Sequence, residues 1–220
     1  MARNPKIALV LGTAFTGKSW LAGWIARRIR RRFVVIVHTK PDESYLAHIQ
    51  REKARFVAVH SGNYLVSTAF LRQTKRAHRY LWLSVYDLSR EETGEFLSSL
   101  IEAIKDVGNL ALFIDEAHLF CSRFQVPESV VGFIRGARHY GVDVVLVSQR
   151  LRDLDIGIRC VLTHLIVFRT TDETDLNILA GELGVGKEMA RKIKYLPNQK
   201  HFYVNRAYPI TETEAVEAEI

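Results

Sequence analysis

Short apolar runs separated by helical or polar spacers run the length of the chain. "KIALVL" (6–11), "FVVIVH" (33–38), "RFVAVH" (55–60) and "YLWLSV" (80–85) read as strands. So do "LALFID" (110–115), "VDVVLVSQ" (142–149), "HLIVFRT" (164–170) and "KHFYVN" (200–205). Helical periods lie between them. Trp20, Leu21, Trp24, Ile25 and Ile29 recur at helical spacing across 17–32, and "GEFLSSLIEAIKDVG" (94–108) is amphipathic with Gly108 as its C-cap. "ESVVGFIRGARHYG" (128–141) predicts a helix with Val131, Ile134 and Val130 in its buried stripe. Arg135 and Arg138, three apart, share the face away from that stripe. "TDLNILAGELG" (174–184) and "GKEMARKIKYL" (186–196) predict two short helices. Near-continuous apolar strands alternating with helices indicate an α/β fold, a mostly parallel sheet with helices on both faces. No repeat, low-complexity tract or linker interrupts the pattern. Residues 1–220 are expected to form a single domain, with 209–220 a loosely held acidic tail.

Composition narrows the setting. At 220 residues, 48% hydrophobic and 25% charged, the chain can bury a sizeable core. Cys121 and Cys160 are too few for a disulfide framework, so a reduced, cytoplasmic location is expected. No apolar run approaches the roughly 20 residues that cross a bilayer. The basic, then apolar start stops at a glycine loop and is not a secretion signal. A net charge of +7 suits a polyanionic partner such as nucleic acid, and suits plain solubility equally well.

The glycine loop carries the first chemistry. "GTAFTGKS" fits G-x-x-x-x-G-K-[ST] over Gly12, Thr13, Ala14, Phe15, Thr16, Gly17, Lys18 and Ser19, after a predicted strand and opening a predicted helix. Backbone N–H groups of such a loop wrap phosphates at the positive end of the helix. Lys18 adds a cation at the β/γ-phosphates, and Ser19 offers a hydroxyl to Mg²⁺. Phe15 has no evident role in that scheme. Downstream, the strand in "LALFIDEAH" ends in Asp115, suited to hold Mg²⁺ through water, and Glu116, suited to polarise a water for attack on the γ-phosphate. Strand alternation should separate these two side chains. His118 reads as a packing residue. "VDVVLVSQR" ends in Ser148, Gln149 and Arg150 on what a parallel sheet makes its ligand edge, where Gln149 could sense the γ-phosphate. The letters Asp-Glu-Ala-His also name a helicase class, but that class needs two tandem cores, and one core consumes this chain.

Taken with "GTAFTGKS" and "LALFIDEAH", the segment "IRGARHYGVDVVLVSQRLRDLDIGIRCVLTHLIVFRTTDETDLNIL" resembles the ATPase core of the FtsK–HerA superfamily. The resemblance runs from about Lys6 to Leu179 and is thinner between Pro41 and Asn109. It implies a RecA-like P-loop NTPase core, ATP and Mg²⁺ as cofactors, and a ring, usually hexameric, that pumps DNA. It also implies that the sensor strand lies between the P-loop strand and the Asp115 strand. Lys18 and Ser19 then take the P-loop roles, Asp115 and Glu116 the Walker B roles and Gln149 the sensor role. Arg138 in "GARHYG" becomes an arginine finger, with Arg150 second. The chain shows none of the membrane helices, β-barrel or helical insertions of larger members. A bare basic core of this size resembles the genome-packaging ATPases of membrane-containing icosahedral viruses.

That likeness implies a double-stranded DNA translocase acting in the host cytoplasm and on the virion, with capsid vertex proteins as partners. A plasmid, cellular or filamentous-phage assembly ATPase of the same superfamily stays open. So does a nucleotide-gated P-loop protein or small kinase that acts without DNA. Arg123, beside Phe124 in "CSRFQVPE", and Arg72, Lys75 and Arg76 in "LRQTKRAHR" are candidate phosphate contacts on DNA. "RRIRRR" is read instead as a solvated helix end that suits the helix dipole and points away from the nucleotide edge.

Overall fold

A computed structural model describes residues 6–39, 47–124 and 126–206, and the backbone of residues 216–219. Each apolar run becomes a strand: β1 (Ile7–Leu11), β2 (Val34–His38), β3 (Ala54–Val59), β4 (Tyr80–Val85), β5 (Ala111–Ile114), β6 (Asp143–Ser148), β7 (His164–Phe168) and β8 (Lys200–Asn205). The helices are α1 (Lys18–Arg28), α2 (Thr68–Ala77), α3 (Arg90–Val107), α4 (Ala117–Phe120), α5 (Glu128–Gly136), α6 (Ile156–Arg159), α7 (Glu173–Ala180) and α8 (Lys187–Lys194). Of the tail 209–220, expected to be loose, Val216–Glu219 form a further strand, β9, on β8; the rest lies outside the described residues.

The sheet runs in the order β3-β4-β2-β5-β6-β1-β7-β8-β9 among the described residues. Every pairing from β3 to β7 is parallel, and β8 and β9 are antiparallel additions at one edge. The strand ending in Gln149 does lie between the P-loop strand and the Asp115 strand. Strand alternation divides the core. Val10, Ile36, Phe113 and Val145 face α1 through Leu21, Ala22 and Ala26. Leu9, Val35, Leu112 and Val144 face a larger layer built from α2, α3 and α5 to α8. Both faces are therefore covered, as parallel sheets require.

Several boundaries follow capping rather than periodicity. α3 starts at Arg90, before the apolar period begins, because Ser89 and Glu92 form a reciprocal capping box. α1 stops at Arg28, and the Arg79 guanidinium takes the carbonyls of Arg27 and Ile29 at 3.3 and 3.2 Å. α5 ends at Gly136 and tightens into a 3₁₀ turn over Ala137–Tyr140, so Arg138 is not on the α-helix. Its buried stripe is Val130, Phe133, Ile134 and Ala137, with Val131 only half-buried. These positions follow the i, i+3, i+4, i+7 spacing better than a stripe centred on Val131.

Burial keeps several histidines neutral. His164 sits against Tyr203, ring nitrogen to hydroxyl 2.8 Å, and burial with Lys6 nearby pushes its pKa down to about 4. Burial also lowers His201 and His118. The native state then binds fewer protons than the unfolded chain between the ordinary histidine pKa near 6.5 and about 4. Stability is full above that window and is lost as pH falls through it. Urea midpoints should therefore drop steadily from pH 7 to pH 4.5, and His164→Gln should flatten the drop without abolishing it.

Candidate active site

β1 delivers the chain into the glycine loop at the C-terminal edge of the parallel strands. Gly12 N–H donates to the Ser148 carbonyl at 3.3 Å. A Cβ on Gly12 would stand 2.6 Å from the Cβ of Phe168, so only glycine fits there. The Thr13 amide and hydroxyl both donate to the Arg169 carbonyl, at 2.9 and 3.2 Å. The Thr16 hydroxyl donates to the Thr13 carbonyl at 2.9 Å, and the Gln199 amide to the Thr16 carbonyl at 3.2 Å. The loop is thus fastened to the ends of β6 and β7 and to the turn before β8. Gly17, at φ 101°, opens α1 with no side-chain cap, the arrangement in which a helix start accepts an anion. Lys18 is buried, with Nζ 2.7 Å from the Thr13 carbonyl. Phe15 is left-handed at φ 61° and 96% exposed at the loop's tip.

The ends of β2, β5 and β6 supply the polar groups beside this loop. Asp115 follows the last residue of β5 and is 5% exposed. His38, the last residue of β2, places Nε2 2.7 Å from Asp115 Oδ2. The His38 ring stacks on Trp82 at 5.2 Å, and the Trp82 indole N–H donates to Ser84. Asp115 Oδ1 accepts the Glu116 amide at 2.9 Å. Glu116 itself is left-handed, φ 48° and ψ 45°, and starts α4. Its aim comes from that turn and not from strand alternation, since β5 has already ended at Ile114. A non-glycine residue in this conformation is uncommon and strained, and such residues cluster at functional sites.

Gln149 reaches Glu116 from the end of β6, Nε2 to Oε1 at 2.5 Å. His118 Nδ1 lies 3.4 Å from Glu116 Oε2 and 3.4 Å from Ser148 Oγ. Burial pushes the His118 pKa down against the pull of Glu116, so it stands as a neutral ring bordering the carboxylate. Asp175, at the start of α7, accepts the Leu151 and Arg152 amides at 3.0 and 2.8 Å and so holds the segment after Gln149. His38, Asp175 and the placement of His118 are not predicted by the sequence pattern. The signal for His38 was available: it is the polar last residue of an apolar parallel strand, as Ser148 is.

The remaining candidates lie apart. Arg150 is exposed at 59%, 3.8 Å from Asp153. Arg138 is exposed on the 3₁₀ turn before β6, at the opposite edge of the sheet from its own glycine loop. Arg123 is exposed at the carboxyl edge of the strands, its guanidinium over the Phe124 ring at 4.5 Å. Arg72, Lys75 and Arg76 are on α2, which leads into the N-terminal end of β4. Lys75 donates to the Val107 and Gly108 carbonyls at 3.3 and 2.8 Å, and so caps α3 rather than standing free for a ligand.

A glycine loop fastened at the carboxyl edge of a parallel sheet, beside the ends of β5 and β6, defines the class: this is the fold of the P-loop NTPases. The chain belongs to the zonular occludens toxin (Zot) family, whose model matches residues 64–173, from just before α2 to the start of α7. Solved structures place it more widely. The genome-packaging NTPase B204 of Sulfolobus turreted icosahedral virus 2, in complex with AMP, is 19% identical over 99% of each chain, with a TM-score of 0.71. VirB4 of Thermoanaerobacter pseudethanolicus is 11% identical over 100% of this chain and 90% of its own, with a TM-score of 0.70. The N-terminal domain of zonular occludens toxin from Neisseria meningitidis is 13% identical over 99% of this chain and 95% of its own, with a TM-score of 0.50. At these identities the likeness is one of fold. No curated protein sequence matches the chain. Among the described residues no helix is long and apolar enough to cross a membrane.

The contact between His38 and Asp115 is buried on both sides, and removing the imidazole leaves Asp115 with only the Glu116 amide against its carboxylate. His38→Ala should lower the unfolding free energy by about 1–3 kcal/mol in urea titration. His38→Asn, which keeps a donor, should recover part of the loss. Equal stability of the alanine variant and the native protein would mean that the contact holds nothing in place.

Proposed function

We propose that this chain is an ATP-driven translocase of double-stranded DNA, working as the motor that packages a viral genome. The observation that carries the ATPase part is the contact between Gln149 and Glu116 at adjoining strand ends beside the glycine loop. The packaging part is supported by the fold shared with B204 over nearly the whole of both chains. A filamentous-phage assembly ATPase is the second reading, favoured by the match to the zonular occludens toxin family.

In this reading the loop Gly12–Ser19 holds the phosphates, and Lys18 moves from the Thr13 carbonyl to the β/γ-phosphate oxygens. Mg²⁺ fits the groups present. The Ser19 hydroxyl and Asp115 carboxylate are oxygen donors, as a hard cation prefers. Among the described residues no set of three or more His, Cys, Asp or Glu side chains forms a self-sufficient metal cage. The cation, when bound, would draw on Ser19, Asp115 and the nucleotide itself, and would neutralise charge on the phosphates. Glu116 orients and deprotonates the attacking water. Gln149, released from Glu116, is placed to sense the γ-phosphate.

Arg138 is exposed and remote from its own loop, which suits action on a neighbouring subunit's nucleotide. The motor is then a homo-oligomeric ring, a hexamer in this proposal, docked on capsid vertex proteins in the host cytoplasm or on the virion. DNA contact is phosphate-directed and indifferent to sequence, because a genome must pass through.

The test is ATP turnover with and without linear duplex DNA at several salt concentrations. DNA should stimulate turnover, and stimulation should fade as salt rises. Turnover indifferent to DNA at low salt would favour a nucleotide-gated protein or small kinase instead. Lys18→Ala should abolish turnover, and Glu116→Gln should bind ATP yet hydrolyse it about 10²–10⁴-fold more slowly. Arg138→Ala should bind ATP and turn over poorly, since a finger supplied in trans contributes about 10³–10⁵-fold. Mixing it with Glu116→Gln should restore part of the rate in rings that exchange subunits. Normal turnover by Arg138→Ala alone would remove it from the mechanism.

A further inference from the structure

Two basic stretches some forty positions apart in the sequence are folded together at the N-terminal edge of the strands. Arg79 bonds the carbonyls of Arg27 and Ile29, which docks the start of β4 on the end of α1. Val34 N–H donates to the Arg79 carbonyl at 2.9 Å and ties the start of β2 to the same point. The result is a cleft of about 360 Å³ walled by Arg32, Arg72, Lys75 and Arg76, with Asp106 and Val107 at the end of α3 closing it.

The charges in this cleft divide into structural and free. Lys75 caps α3, and both burial and the neighbouring Arg32 lower its pKa, so the cleft is already crowded with positive charge. Asp106, the acid of the wall, accepts the Thr68 hydroxyl at 2.9 Å. Arg32, Arg72 and Arg76 are exposed, and among the described residues none of them forms an ion pair. Three unpaired guanidinium groups converging on a concave site repel one another. An anion with several charges removes that repulsion and matches their planar forks.

We propose that this cleft binds the phosphate backbone of duplex DNA, on the sheet edge opposite the nucleotide. The proposal rests on the DNA-motor reading and adds to it the face by which the motor meets its substrate. It also revises the reading of the 27–32 run: Arg32 joins the contact surface, while Arg31 is taken by Asp143 at 2.6 Å. A lipid surface with anionic headgroups fits less well. The site is concave, and the exposed aromatic of neighbouring α1, Trp24, has its ring covered by Arg28 at 4.1 Å, so it is not free to insert into a bilayer.

The experiment uses the full chain and a fluorescently labelled duplex, with anisotropy read across a salt series. The variants are the triple Arg32→Ala, Arg72→Ala, Arg76→Ala and, as a comparison at the carboxyl edge, Arg123→Ala. Unfolding midpoints confirm that both are folded. Each lost phosphate contact removes about 0.9 from the log–log salt slope, so the alanine triple should lose about 3 units of slope and bind weakly at every salt. Arg123→Ala should change the slope by about 1 at most. The triple Arg32→Lys, Arg72→Lys, Arg76→Lys keeps the charge and should retain most of the slope. Native affinity and slope in the alanine triple would overturn the proposal and leave the DNA motor standing. No duplex binding by the native chain at low salt would end both. Binding to phosphatidylserine vesicles that is lost in the alanine triple, with DNA binding intact, would reassign the cleft to lipid.

Discussion

The site depends on one arrangement of backbone: β6 lies between β1 and β5, and all three run the same way. Leu11 pairs with Ser148 and Ile114 with Leu146, so the residues that follow each apolar ladder emerge together. Gly12 to Ser19, Asp115 with Glu116, and Ser148 with Gln149 are neighbours for that reason alone. Were β6 antiparallel, its polar end would sit at the far edge of the sheet. A slip of one residue would turn Val145 and Val147 to the wrong face and break both halves of the core. The apolar ladder therefore sets the geometry of the polar groups. Those groups then lie against one another: His38 beside Asp115, Gln149 donating to Glu116, Lys18 donating to the Thr13 carbonyl.

The same parallel order gives the molecule two chemically different edges. Loops at the carboxyl ends hold a glycine loop and carboxylates; turns at the amino ends carry arginines on α1, on α2 and before β2. A strand of five or six residues separates them by about 16–20 Å. A nucleotide on one edge and a polyanion on the other would not compete, and the stiff ladders between them would carry any change as a rigid body. Arg138 belongs to the amino edge, across the sheet from the chain's own glycine loop.

The central strands were legible because β2, β5 and β6 are buried at every position and written as near-continuous runs of Val, Ile, Leu and Phe, whereas β3, at the sheet edge, is half-exposed. The glycine loop was legible because few sequences place Gly12, Gly17, Lys18 and Ser19 between a strand and a helix. α2 was not, since only Leu71 and Thr74 are buried in it and its remaining letters read as charge. The start of α3 was hidden for a different reason: a capping box is polar and precedes the apolar period. His38 and His118 looked ordinary, because what makes them part of the site is adjacency across strands, which spacing along one strand does not encode. The orientation of Glu116 is set by a left-handed turn, which strand alternation does not predict.

If the ends of β5 and β6 act as one hydrolytic unit, the action is measurable as a coupling. Single-turnover ATP hydrolysis would be compared for Glu116→Gln, Gln149→Ala and the double variant. Residues that act as a unit are strongly non-additive. The double variant should be no slower than Glu116→Gln alone; losses that multiply, each variant contributing its full effect in the double, would mean that the two side chains act independently.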